Sequence, residues 1–342
     1  MPPRGSFLLT LLMLLAPLGA SATVRPVPGT YPTIQSAIDA SAKGDVVEVS
    51  PGTYVERLVM GPARDSVTVR GLAGASATIV DAMGTGTTLS FAGVGPHTRV
   101  EGLTIRGGAL LGAGGGMYLS AAAPQIVDCV IEGNHAYAAG GIYVDDVSSP
   151  QFTGCIIRNN QAPNGSGGGV YVDHGGRPSF SYCQIYGNTC AAYGGGVTVW
   201  EGSVPVLDHC TIAGNAGAYA GGNLYLTRSG SVHATNSIFA FPTQGANVEA
   251  TADAFPGTIA CCDLFVSGGI NIRGMPSPIG ANGNVALDPQ FCDRGAGNYG
   301  LTASSPCAGA NNACQQVGAV GVTCAAVPTA SVTWGALKSR YR

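Results

Sequence analysis

The sequence predicts an all-β solenoid, a parallel β-helix whose coils stack along one axis. Three observations carry this. Residues 124–134, 150–160, 178–188 and 205–215 are one unit written four times, each with a cysteine at its sixth position and an asparagine at its eleventh. The cysteines, Cys129, Cys155, Cys183 and Cys210, follow at steps of 26, 28 and 27 residues. At that period a repeat buries its apolar face by stacking on its neighbours. Next, apolar positions alternate over short glycine-bounded runs such as 129–131 and 141–144, which is strand rather than helix periodicity. Composition agrees: 10% of residues are charged, against about 25% in ordinary globular chains, and 53 are glycine.

Taken in order, residues 1–22 read as a secretory signal peptide. Arg4 supplies the basic start, residues 7–15 the apolar run, and Ala20 and Ala22 the small-residue cleavage site. The run is shorter than the ~18–20 apolar residues of a membrane helix, and no later stretch approaches that length. Residues 23–62 form an N-terminal cap: a helix over 33–43, started by Thr33, faced by Ile34, Ala37 and Ile38 and stopped at Lys43-Gly44. A strand over 45–49 and a turn over 50–54 follow. The helix covers the first coil, whose bare edge would otherwise invite another strand. Coils occupy 63–250, loosely at first and in strict register from about 99. Residues 251–325 lose the period and crowd Cys261, Cys262, Cys292, Cys307, Cys314 and Cys324 into loop-rich sequence, where an exported protein places disulfides. Eleven cysteines leave at least one unpaired within the chain. Residues 326–342 form a basic tail, read as a disordered end, with a sorting or anchoring tag as the alternative.

Stacking at ~4.8 Å turns the repeat into columns. Ile105, Ile131, Ile157, Ile185, Ile212 and Ile238 form one aliphatic ladder, and Leu103, Cys129, Cys155, Cys183, Cys210 and Asn236 a second beside it. Asn134, Asn160, Asn188 and Asn215 occupy a turn, where asparagine tolerates the left-handed conformation and its amide bonds the coil above. These columns are structural, and the cysteines within them are small buried hydrophobes.

The recurring Cys-x-Ile and Gly-Gly-Val-Tyr signatures, with the Pro-Thr-Ile-Gln start at residues 32–35, resemble the right-handed parallel β-helix family. That architecture includes pectate lyases and pectin methylesterases, and many bacterial surface proteins. The resemblance covers roughly residues 30–320 and implies a right-handed solenoid with an asparagine ladder. With the signal peptide, the expected location is secreted, extracellular or at the cell surface, with the periplasm as the alternative. The resemblance does not imply one activity. The calcium-binding acidic cluster of pectate lyases, the paired aspartates of pectin methylesterases and the Asp-Asp-His-Lys set of polygalacturonases have no residue-by-residue match here.

Chemistry is sparse. Phosphate-binding and His-Glu-x-x-His motifs are absent, the glycine runs recur with the coil, and the five histidines are scattered, so no cofactor and no metal is expected. A net charge of −3 argues against nucleic acid and offers no attraction to acidic polymers. One constellation stands out. Counted from the glycine cluster, Asp145, Asp173, Trp200 and Thr227 share a position in successive coils, and Asp146, His174, Glu201 and Arg228 share the next. A solvated turn accounts for them first. A sugar-binding groove comes second, since carboxylates with an aromatic ring suit a sugar face, and catalysis third. The expected function is accordingly a secreted or cell-surface, non-enzymatic binding or scaffold module with polysaccharide as ligand. A polysaccharide lyase or glycoside hydrolase is the enzymatic alternative, and a protein-binding adhesin the other.

Overall fold

The computed structural model describes residues 22–324, Pro256 apart, so the expected signal peptide and basic tail lie outside the described residues. Between Val24 and Arg273 the chain winds through three long parallel sheets of ten, nine and nine strands. Each coil lays one strand in each sheet. The coil around Cys155 is representative: Gln151–Thr153 in the first sheet, Ile156–Arg158 in the second and Val170–Val172 in the third. A smaller five-stranded sheet bridges the second and third.

Strands of three or four residues suffice because each inner one is paired on both sides and sends alternate side chains inward. Ile105, Ile131, Ile157, Ile185 and Ile212 stand in direct register and have no exposed surface. On the first sheet, Phe152 and Phe180 stack inside the core with centroids 4.7 Å apart. Asn134 donates through Nδ2 to the Asn160 carboxamide oxygen at 3.0 Å, and Asn160 and Asn188 repeat the bond to Asn188 and Asn215. The chain of amides continues through Asn223, Asn247 and Asn271.

Several expectations shift. Ile238 is not in the aliphatic ladder: Ile212 pairs with Phe239, and Ile238 pairs with Thr211 on the outward side. It is buried there because the C-terminal segment lies over it, with Leu301, Cys307 and Val317. Likewise Ser237, not Asn236, continues the cysteine column. Its hydroxyl donates to the Thr235 carbonyl at 2.8 Å, as the Cys210 thiol does to Asp208 at 3.5 Å. Asn236 takes the outward turn at φ +48, the place of His209 in the preceding coil. In the asparagine turn the left-handed residue is the one before the ladder, Gly133, Asn159, Gly187 or Gly214, which frees the asparagine amide to point inward.

At the N-terminus the helix α1 runs from Ile34 to Ala40, capped by Thr33 as expected but shorter than 33–43. Ser41 is extended, and Asp45 captures the Ala42 N–H at 2.9 Å, which turns the chain before Lys43. The two oxygens of Glu56 accept the Ile34 and Gln35 N–H groups at 2.9 and 2.8 Å, a carboxylate suited to a helix start. Residues 52–55, expected as part of a turn, form the strand Gly52–Val55 paired with Thr78–Asp81.

Beyond Val285 a three-stranded sheet, Phe291–Asp293, Asn298–Thr302 and Val322–Cys324, folds back over the second sheet. Disulfides join Cys261 to Cys314 and Cys292 to Cys324. Cys262 and Cys307, expected among the disulfides, are free and fully buried. Neighbouring residues leave the chain in opposite directions: Cys261 turns outward at φ +53, while Cys262 points into the core. Cys307 instead donates its thiol to Asp263 at 3.1 Å.

Candidate functional site

The third sheet and the turn at its end carry the candidate residues. Outward-facing positions of this sheet bear Tyr118, Tyr143 and Tyr171 in register, followed by Thr198 and Tyr225. The first three rings stack at 5.5 Å intervals along the solenoid axis. The strand then enters a turn in which Asp146, His174, Glu201 and Arg228 all adopt positive φ, from +42 to +53. Such backbone recurs at every corner of this solenoid, so it marks a corner rather than a site.

The side chains link diagonally across coils. Tyr118 donates to Asp145 at 3.0 Å and Tyr143 to Asp173 at 2.9 Å. Asp145 and the His174 Nδ1 lie 2.6 Å apart, and the His174 Nε2 is 3.4 Å from Glu201. Glu201 in turn meets Arg228 at 3.3 Å. Trp200 lies between Tyr171 of the coil before, at 6.1 Å, and the Arg228 guanidinium of the coil after, at 4.9 Å. The indole is therefore covered along the axis on both sides, not laid open as a flat platform. Asp146 stands at the upstream end, with the Ser120 hydroxyl 3.4 Å away. The structure thus brings Asp145, Asp173, His174, Trp200, Glu201 and Arg228 into one continuous strip and leaves Asp146 at its margin.

Electrostatics follow from these bonds. The hydrogen bond that His174 makes to the Asp145 carboxylate, then the charge of Asp173, raises the His174 pKa above the ordinary imidazole value. Burial, helped by the bond to Asp145, pushes the Tyr118 phenol up to about 12. Tyr143 and Tyr171 move up for the same first reason, so all three remain hydroxyl donors at neutral pH. Asp173, His174 and Glu201 each offer a ligand atom within 4.8 Å of the others. All three are already engaged: Asp173 by Tyr143, the His174 Nδ1 by Asp145, and Glu201 by Arg228 and the His174 Nε2. The tyrosine row adds to the residues expected from the sequence, and its signal there is Tyr at one place in successive Gly-Gly-x-Tyr runs.

Comparison with known proteins agrees on the architecture. Residues 75–204 match the family model described as the right handed beta helix region. The crystal structure of pectate lyase Pel9A superposes with a TM-score of 0.55 at 11% identity, covering 89% of this chain and 98% of that one. Pectin methylesterase from Aspergillus niger gives 0.43 at 15% identity, covering 80% and 93%. PemA from Erwinia chrysanthemi gives 0.42 at 14%, covering 69% and 80%. Among curated proteins, none matches the chain in sequence. The chain is a right-handed parallel β-helix of the pectin-lyase-like fold. At these identities the likeness speaks to the fold alone.

Proposed function

We propose that this protein is an exported, non-enzymatic binding module whose strip on the third sheet holds a neutral polysaccharide. The observation that supports this reading is the strip itself, in which aromatic edges and hydrogen-bonding groups repeat at the coil spacing along the solenoid axis. A glycan chain laid along that axis would meet ring edges for its apolar faces and carboxylates for its hydroxyls. Four carboxylates, Asp145, Asp146, Asp173 and Glu201, stand there against Arg228 and His174. That balance favours hydroxyl-rich neutral polymers over acidic ones. Two disulfides suit an oxidising compartment, and no helix among the described residues is long and apolar enough to cross a membrane.

The internal pairing speaks for binding over catalysis. Glu201 already faces the Arg228 guanidinium and the His174 Nε2, and a general acid or base needs a free proton position towards its substrate. A panel of neutral and acidic polysaccharides, followed by affinity and by released reducing or unsaturated ends, tests this. Glu201→Gln should weaken binding by about 1–3 kcal/mol with no product formed by either protein. Product formation that falls ~10²–10⁴-fold in the variant while binding persists would establish a lyase or hydrolase instead.

A further inference from the structure

The corner after the second sheet carries glycine or asparagine in the left-handed conformation in four successive coils: Gly133, Asn159, Gly187 and Gly214, at φ +54 to +66. In the next coil the same place is held by Phe241 at φ +50. A bulky side chain is disfavoured there by the approach of Cβ to the backbone carbonyl. Its ring meets Phe265 edge-on at 5.1 Å and lies 6.1 Å from Phe291. One face is covered by the Arg294 guanidinium, 3.8 Å from the centroid. Arg294 reaches over from the C-terminal cap and is exposed. Among the described residues it makes no ion pair, and the adjacent Asp293 carboxylate is taken up by the Ala296 N–H at 3.0 Å.

Phe241 and Arg294 line an open cavity of about 370 Å³ together with Pro242, Thr243, Ser267 and Tyr299. It opens where the cap crosses the solenoid, on a different sheet from the tyrosine strip. We infer that this cavity binds a small aromatic carboxylate. Phe241, Pro242 and Tyr299 supply walls for one ring, and the volume is at the lower end of ligand pockets. An unpaired guanidinium stacked on an aromatic face keeps its N–H edges available and offers the planar fork that a carboxylate fits. Thr243 and Ser267 add hydroxyls for a ring substituent. At this corner Phe241 supplies a wall for the ring and a support for the cation.

Calorimetric titration of the whole protein with 4-hydroxybenzoate and with uncharged 4-hydroxybenzamide tests the assignment. The carboxylate should bind at least ~10-fold more tightly than the amide. Arg294→Gln should erase that preference while leaving polysaccharide binding on the third sheet unchanged. Phe241→Gly, which restores the residue of the sibling coils, should abolish binding of both probes. If Phe241→Gly fails to fold, the Arg294 comparison decides alone. Absence of binding by 4-hydroxybenzoate at millimolar concentration, equal affinity for the amide, or full affinity in Arg294→Gln would overturn the proposal.

Discussion

Around Ile157 and around Cys307 the chain buries its apolar surface by opposite means. In the central coils inward residues stack on apolar or amide partners above and below, so aliphatic, aromatic, thiol and amide contacts all run through the same stretch. In the cap nothing repeats. One disulfide ties two of its three short strands and another ties a cap loop to the solenoid, and the strands rest on a thiol, a carboxylate and a few aromatic rings. The cysteines make the contrast concrete. Cys129, Cys155, Cys183 and Cys210 sit in adjacent coils yet stay free and buried, and for the first three burial raises the thiol pKa and leaves no thiolate to start exchange. Cys261 and Cys292, in less buried positions, are the ones that pair. Periodic sequence needs no staple, and aperiodic sequence does.

The sharpest way to break the ordered half is Ile157→Asp. The carboxylate would enter a dry column between Ile131 and Ile185 and cost about 3–5 kcal/mol or more, with the ladder interrupted on both sides. Circular dichroism and denaturant titration should find the central coils unfolded; a cooperatively folded variant would show that the column is not internal.

The other half is broken by reduction. The two bridges span sequence separations of 53 and 32 residues, and chain entropy gives each roughly 4 kcal/mol. Hydrogen exchange of the reduced protein should lose protection over 285–324 while peptides over 125–215 keep theirs. Simultaneous loss in both would merge the two regions into one cooperative unit.

A smaller effect separates them by pH. Asp263 is fully buried at the junction, accepts the Leu287 N–H at 3.0 Å and faces Cys307, with the charge of Asp288 nearby. Burial first, then Asp288, lifts its pKa to about 6 from 3.8. The folded state therefore binds the proton more tightly than the unfolded chain. Its contribution is complete below pH 3.8 and is lost as pH rises through about 6, which corresponds to about 3 kcal/mol as an upper figure. Asp263→Asn should flatten the stability profile across that window and raise stability at pH 7. A profile unchanged by the substitution would show that the carboxylate reaches solvent.

What was legible in the sequence follows the same division. The register of Ile105 to Ile212 could be read because identical residues recur at the coil period. It slipped at the next coil, where Ile238 and Asn236 look like the missing members but Phe239 and Ser237 hold the positions. The hydroxyl of Ser237 makes the bond a thiol makes elsewhere, and that equivalence lies in hydrogen bonding rather than residue type. A Cys-Cys pair looks like two disulfide partners, yet at the corner after Ala260, Cys261 turns outward and Cys262 points into the core. In the strip, stacking arithmetic aligned Asp146, His174, Glu201 and Arg228. It could not foresee that His174 pairs one place back, with Asp145, or that Arg228 closes over Trp200. Side-chain direction at a left-handed corner decides both.

Columns that hold the fold and a strip that holds a ligand should come apart when Trp200→Ala and Glu201→Gln are combined. Both residues stand at a solvent-facing corner, outside every ladder. Measured side by side, the melting temperature should move by no more than about 2–4 °C, the shift expected for a change near 1 kcal/mol in a chain of this size. Affinity for the best neutral polysaccharide should fall more than ~10-fold, the loss of about one charge-assisted hydrogen bond. Unchanged affinity for every polymer tried, with the fold intact, would contradict the strip as a binding surface and leave it a solvated corner of the solenoid.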